Sequence, residues 1–215
     1  MEQLRYRRLR PWEWGTAAAL IRAAFPVDRT RWLTSGVISY YLRERLASVR
    51  VLERVVRRGL LPARTLGIIG VVIAELREAE GCGWLELIAI APGEQGQGHG
   101  ARLVGLVEAA TSATGVSRLE LAVDEANDGA LRFYERLGYS AIGPAASPGA
   151  GAGPHLRYGK DLVNVTAAPE LDALAPRPQT PRGLSNIARR AVYKLAVGAE
   201  RLSHSSSRGP KSPSS

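Results

Sequence analysis

The residues Gln95-Gly96-Gln97-Gly98-His99-Gly100 set three glycines between an apolar run, WLELIAIAP, and a helix-like run, ARLVGLVEAATSATG. A strand that enters a glycine loop and leaves as a helix gathers several unpaired backbone N–H groups at one point. The helix dipole makes that point favourable for an anion. Glycine permits positive φ and lets a bulky phosphate approach the main chain. The chemistry on offer is anion binding by backbone amides, and a plain tight turn with a helix cap accounts for the glycines as well. Two phosphate-loop patterns are excluded. No Gly-Lys-Ser/Thr ending is present, and glycines at 96, 98 and 100 lack the last gap of G-x-G-x-x-G.

The elements that must position this loop can be read outward from it. Residues 84–91 are an apolar strand, and 65–76, TLGIIGVVIAEL, are a second, β-branched one. The Gly-containing turn EAEGCG joins them as a hairpin. After the loop, a helix over 101–113 presents Leu103, Leu106, Val107 and Ala110 on one face and ends at Gly115. Strand 116–123, VSRLELAV, follows, and its link to 84–91 through a helix demands a parallel neighbour. Asn127 and Asp128 suit the N-terminus of a short helix, GALRFYERLG, over 129–138. A strand begins at YSAIG, a flexible loop spans 144–154, and HLRYGKDL (155–162) closes the set. Upstream, residues 4–10 read as an edge strand and 12–25 as a helix opened by Pro11. Residues 31–58 read as one or two basic helices, because Leu42, Leu46, Val49 and Leu52 recur at helical spacing. Strands and helices in this order predict an α/β layer fold with a largely antiparallel sheet.

The chain has 215 residues and a net charge of +9, distributed unevenly. Residues 1–62 carry 13 Arg against 5 acids, residues 63–162 carry 8 basic and 12 acidic groups, and residues 163–215 carry 8 and 3. An acidic middle between basic flanks is not the pattern of a uniform nucleic-acid binder. No apolar run approaches the roughly 20 residues of a membrane span, and the N-terminus has no signal-like apolar region. A single cysteine, Cys82, excludes an internal disulfide and fits a reducing, cytoplasmic setting. His99, His155 and His204 form no ligand spacing with it, so no metal is expected. Residues 163–183 read as a Pro-rich linker, 184–202 as a basic amphipathic helix, and 203–215 as a disordered tail. Helix 184–202 suits docking on the domain or on a second subunit. A homodimer stays open, and nucleic-acid or membrane contact by the basic flanks is open but not favoured.

Gln95-x-x-Gly98-x-Gly100 resembles the acyl-CoA pyrophosphate loop of the GNAT family of N-acetyltransferases, whose pattern is Gln or Arg, two residues, Gly, one residue, then Gly or Ala. ANDGALRFYERLGY (126–139) resembles a second motif of that family, and the spacing between the two fits. The resemblance covers about residues 3–162 and implies an acyl-CoA N-acyltransferase domain over 1–162. The implied fold is a mixed, mostly antiparallel central sheet with splayed middle strands and helices on both faces. Acetyl-CoA is the implied acyl donor and an amine the implied acceptor. The pantetheine arm would pair with the backbone of Ile88, Ala89 and Ile90. The loop Gln95, Gly96, Gln97, Gly98, His99, Gly100 and Ala101 would hold the pyrophosphate, with Arg102 adding charge and His99 a spacer with a solvent-facing ring. Asn127 would bond the cofactor arm. Tyr134 would assist the departing thiolate without a strongly shifted pKa, while Phe133 packs in the core. An ammonium must lose a proton before it attacks, so a carboxylate acting through water is expected. Glu86 is the first candidate, because alternation places it with Ile88 and Ile90, and Glu120 is the second. Some relatives place the base where this chain has Ala122. The basic stretch 31–58, with Trp32, Tyr40 and Tyr41, sits where relatives build the acceptor pocket. The alternative is a non-catalytic acyl-CoA-binding module.

Overall fold

The structure is a computed structural model, and it describes residues 2–25, 38, 42, 48–56, 64–146 and 153–163. Within them lie seven strands, β1 (Glu2–Arg8), β2 (Val49–Val56), β3 (Arg64–Arg77), β4 (Cys82–Ile90), β5 (Arg118–Asp124), β6 (Ser140–Ala145) and β7 (His155–Asp161). The longer helices are α1 (Trp14–Ala24), α2 (His99–Ser112) and α3 (Asp128–Arg136). The strands form one sheet in the order β1-β2-β3-β4-β5-β7-β6. All pairs are antiparallel except β4 with β5, which is the parallel contact that a helical crossover requires.

Residues 49–56 differ from the helical expectation. VRVLERVV is a strand hydrogen-bonded between β1 and β3. Leu42, Leu46, Val49 and Leu52 match a helical period by coincidence, because a strand buried on both faces shows no clean alternation. Leu52 enters the core on one side of the sheet while Val49 and Val51 enter the core on the other. The Val-rich composition then decides for strand. Ile38 and Leu42, upstream, are helical and buried. The strand at 140 also runs further than the loop predicted from 144, to Ala145, through pairing with β7. The predicted linker beyond Val163, helix 184–202 and the tail lie outside the described residues, as do Trp32, Tyr40 and Tyr41.

Two apolar clusters flank the sheet. One lies beneath α2 and α3 and includes Leu85, Leu103, Val107, Leu119, Leu121 and Tyr134. The other lies beneath α1 and includes Ala17, Ile21, Val51, Val71, Ile73 and Ala89. Helix α2 sits close on the start of β4: a Cβ on Gly83 would come within 2.6 Å of the Thr111 side chain. No helix of the described residues is long and apolar enough to cross a membrane.

The β1 edge is held by charge. Glu53 on β2 is 0% exposed and takes hydrogen bonds from Arg5 and from Arg7 on β1. Arg7 also grips Glu13, before α1, through two bonds of 2.7 and 2.8 Å. Burial opposes the charge on Glu53, but the bonds from Arg7 and Arg5 outweigh it and hold the carboxyl below its ordinary value. A carboxyl depressed in the folded state stabilises above its unfolded pKa, and that stabilisation fades as pH falls through the folded value. Glu53→Gln, which leaves buried arginine charge uncompensated, should lower the unfolding free energy by about 3 kcal/mol. In urea titrations the deficit should be largest at neutral pH and shrink as pH falls below the ordinary carboxyl range toward the depressed native value.

Candidate active site

The site begins with an interruption of the sheet. β4 and β5 pair only from Gly83 with Leu119 to Leu85 with Leu121. Beyond this the strands part, and a cleft of about 1250 Å³ runs along the gap. Its lining includes Glu86 to Ile90 on β4 and Ala122 to Asp124 on β5. A β-bulge coincides with the parting: Ile73 of β3 opposes Leu87 and Ala74 opposes Leu85, so Glu86 is the extra residue. A bulge bends its strand and sharpens its twist.

The bulge overturns one expectation. Glu86 does not share a face with Ile88 and Ile90. Leu85, Ile88 and Ile90 all pack on the cluster beneath α2 and α3, a spacing of three between the first two that simple alternation forbids. Glu86 instead accepts a 3.0 Å bond from Trp84 Nε1, with Arg77 Nη2 at 3.7 Å, and it lines the cleft. Glu120 is placed otherwise. It is buried, is bonded by Arg118 Nε at 2.7 Å and by Arg157, and is not part of the cleft lining. Glu80, Cys82 and Glu120 bring their ligand atoms within 4.8 Å of one another, but Arg157 bonds both carboxylates. A guanidinium there makes an ion-pair cluster rather than a cation cage.

At the other end of the cleft, Gly98 is the N-cap of α2, with φ of 79°, and Gly96 has φ of 75°. Both need the left-handed region that side chains disfavour. The first helical bond runs from Arg102 N to Gly98 O. Among the described residues, nothing accepts from the N–H groups of Gly96 to Ala101. These are the donors the sequence predicts, and Gln95, Gly96, Gly98, His99, Gly100 and Ala101 line the cleft. Gln95 braces the loop by donating from Nε2 to Ile90 O at 3.1 Å, and Gln97 donates to Gly93 O at 3.1 Å. Gln97 and the exposed Arg102 are not in the lining. His99 differs from its reading as a solvent-facing spacer: its side chain is 12% exposed, and Nε2 lies 3.4 Å from Glu94 Oε2, which also pairs with Arg54. The ring folds back beside Glu94, which pairs with Arg54 of β2, although Nε2 makes no hydrogen bond there.

Helix α3 covers the gap. Asn127 Oδ1 accepts from Ala130 N at 3.1 Å, a helix cap, and the residue lines the cleft. Phe133 and Tyr134 both line it too, so the division into one core ring and one site ring does not hold. Their rings meet edge to face at 5.0 Å and form one wall. Phe133 also stops against Gly100, where a Cβ would come within 3.3 Å of its ring. The Tyr134 hydroxyl bonds no other described residue. Burial pushes its pKa well above the ordinary phenol value, contrary to the unshifted value expected. It therefore stays protonated and acts as a hydrogen-bond donor more readily than as a proton donor.

Sequence reasoning missed the far wall. The Arg77 guanidinium stacks 3.6 Å over the Trp84 ring, and that of Arg157 lies 5.7 Å from it. His155 on β7 faces the same cleft. These residues come from β3, β4 and β7, and only strand order and register bring them together. Local spacing carries no signal of that.

The model of the acetyltransferase (GNAT) family matches residues 31–139. Among solved structures the chain is similar to the ribosomal-protein-S18-alanine N-acetyltransferase from Escherichia coli, at 18% identity and a TM-score of 0.54, covering 79% of this chain and 99% of that one. It is also similar to an N-acetyltransferase from Staphylococcus aureus Mu50, at 12% identity, a TM-score of 0.56 and coverage of 75% and 99%. A third similar structure is Arabidopsis thaliana Naa50 in complex with the bisubstrate analogue CoA-Ac-MVNAL, at 14% identity, a TM-score of 0.55 and coverage of 74% and 98%. No curated protein matches the chain in sequence.

The cap at Asn127 gives a direct test of local architecture. Asn127→Ala should cost about 1 kcal/mol in urea denaturation, whereas Asn127→Asp, which keeps an acceptor oxygen, should stay within a few tenths of the native value.

Proposed function

The chain belongs to the GNAT family of acetyltransferases, and we propose that it moves an acetyl group from acetyl-CoA directly to a primary amine. The observation that carries this reading is one cleft that joins the free amides of Gly96–Ala101 to the unpaired run of β4 beside β5. A diphosphate fits the first, since several N–H groups and a helix N-terminus converge there. An extended arm fits the second by adding to the open strand edge at Ile88, whereas Ala89, in the bonded pair with Val71, turns its backbone groups to β3. Gln95 already occupies the carbonyl of Ile90, so at that residue only the N–H is left to consider. The Asn127 amide has a second oxygen lone pair and two N–H donors beyond its cap bond, which suits a role toward the same arm.

The thioester then lies between Tyr134 and the Trp84 end of the cleft. The bound thioester supplies the activated acyl group, so the chain's residues position, polarise and move protons. An ammonium acceptor is drawn by Glu86, which takes its proton through a water. The amine nitrogen attacks the carbonyl carbon, and a backbone N–H of β4 steadies the oxyanion. As the C–S bond breaks, the Tyr134 hydroxyl donates to the sulfur, and the thiolate gains its proton from solvent. Glu120, held by two arginines, is set aside as a base.

Calorimetry with CoA should give micromolar-range binding that Gly98→Val weakens at least tenfold, because a β-branched residue resists the left-handed backbone and crowds the amides. Thiol release from acetyl-CoA with a panel of spermidine, lysine and an alanine-initiated peptide should fall about a hundredfold in Glu86→Gln and less in Tyr134→Phe. Binding without thiol release for any amine would favour the non-catalytic module instead.

A further inference from the structure

Converting an ammonium to an amide removes two protons from one nitrogen. The first leaves before attack. The second leaves once the C–N bond has formed and the nitrogen is cationic again. A water-linked carboxylate at Glu86 accounts for the first. We propose that His155 is a second catalytic base, whose Nε2 takes the proton from the attacking nitrogen as the amide forms. This rests on the acetyl-transfer reading above.

The geometry fixes the tautomer. His155 Nδ1 lies 2.8 Å from Gly153 O. A carbonyl oxygen only accepts, so Nδ1 carries the hydrogen. The neutral ring then has its lone pair on Nε2, at the other side of the imidazole. No described residue bonds Nε2, and the ring, although the residue is only 8% exposed, lines the cleft. A backbone carbonyl cannot rotate away as a side chain can, so the lone pair is held in one direction.

The sheet explains how a β7 residue reaches the gap. His155 pairs with Asp124 of β5, and Arg157 pairs with Ala122. The contact of Arg157 with Glu120 shows that these alternate residues share the sheet face opposite α2 and α3. On that face Ala122 is the β5 residue between the gap and β7, and it carries only a methyl group. β6 and the residue after it contribute Pro144, Ala145 and Ala146 to the lining, none of them charged. The charged and titratable groups sharing the cleft with His155 are Asp124 on β5, Arg157 on β7, Arg136 on α3, Arg77, Glu80 and Glu86 across the gap, and Glu94 and His99 at the loop end. Asp124 Oδ1 is engaged by Ala126 N at 2.9 Å, and Arg157 by Glu80 at 2.9 Å and Glu120.

The step balances. Nitrogen attacks the thioester carbon, the C–N bond forms, and the carbonyl electron pair moves to oxygen. Nε2 takes one nitrogen proton, the oxyanion collapses, and the C–S bond breaks to release thiolate. An imidazole suits this task because its ordinary pKa lies near working pH, below that of the amine and above that of a carboxylate.

The test combines kinetics and spectroscopy on the full chain. In pH profiles of thiol release with the amine panel, the native protein should show an acid-side loss of kcat. His155→Gln should lower kcat about a hundredfold and abolish that limb. It should leave CoA affinity and the thermal midpoint near native values, whereas Glu86→Gln should keep the limb. A limb that survives in His155→Gln would overturn the proposal. Independently, the nitrogen-15 spectrum of the imidazoles, assigned against His155→Gln, should show the neutral ring of residue 155 protonated at Nδ1. Protonation at Nε2 sinks the idea even where His155→Gln folds poorly. A native protein that binds CoA but acetylates no amine refutes the transfer reading, and the spectrum then decides the state of His155 by itself.

Discussion

Strands β4 and β5 run parallel yet hydrogen-bond at only three residue pairs. Everything else in the molecule depends on that break. A sheet interrupted in its middle leaves backbone donors and acceptors without partners, and buried backbone groups rarely stay that way. The break is sustained from both sides. β4 is held along β3 from Cys82 to Ile90, and β5 along β7 from Arg118 to Asp124, so each strand at the gap is secured on its far side. The extra residue at Glu86 turns β4 at the point of parting. One inserted residue thus opens the gap and also moves a carboxylate from the core face to the opposite one.

The two ends of the cleft work on different physical principles. At the loop end the groups available to a ligand are main-chain amides, aimed by Gly96 and Gly98 in the left-handed region and backed by the α2 dipole. Side chains there serve as braces: Gln95 ties back to Ile90, and His99 and Arg54 meet on Glu94. At the Trp84 end the groups are side chains, and they are tightly interlocked. Trp84 donates to Glu86, carries Arg77 on its ring and lies near Arg157. Exchanging one of these residues disturbs the orientation of several others, whereas an exchange at Gln97 removes a single bond to Gly93 O.

Much of the fold was legible in the sequence. The hairpin of β3 and β4, the crossover to a parallel β5, α2 and α3 followed from periodicity and glycine punctuation. The loop's free amides followed from the strand-glycine-helix order. The failures share one physical origin. The helical reading of 31–58, which fails at 49–56, and the face predicted for Glu86 both used local periodicity where long-range pairing decides. Val49–Val56 is buried on both sides, so its pattern resembles a helix, and the bulge at Glu86 depends on the register with β3. His155 and Arg157 read as parts of a closing strand, because their nearness to Ala122 and Glu120 exists only through the β5–β7 register. Tyr134 was found through its motif, but the burial that raises its pKa comes from packing that no local motif reports.

Low identity with high structural coverage follows from this division. The E. coli enzyme shares 18% of residues yet the match covers 99% of it. A ligand held by backbone amides constrains few side chains: glycine where φ is positive, a small residue where Phe133 meets Gly100, and apolar residues beneath. The facing wall is free to change, because alternate positions of β4, β5 and β7 point away from the core that fixes the strands. Glu86, Ala122, His155 and Arg157 occupy such positions. Fold alone therefore does not name a substrate. On that wall Ala122 carries only a methyl, which leaves the neighbouring strand within reach of the gap.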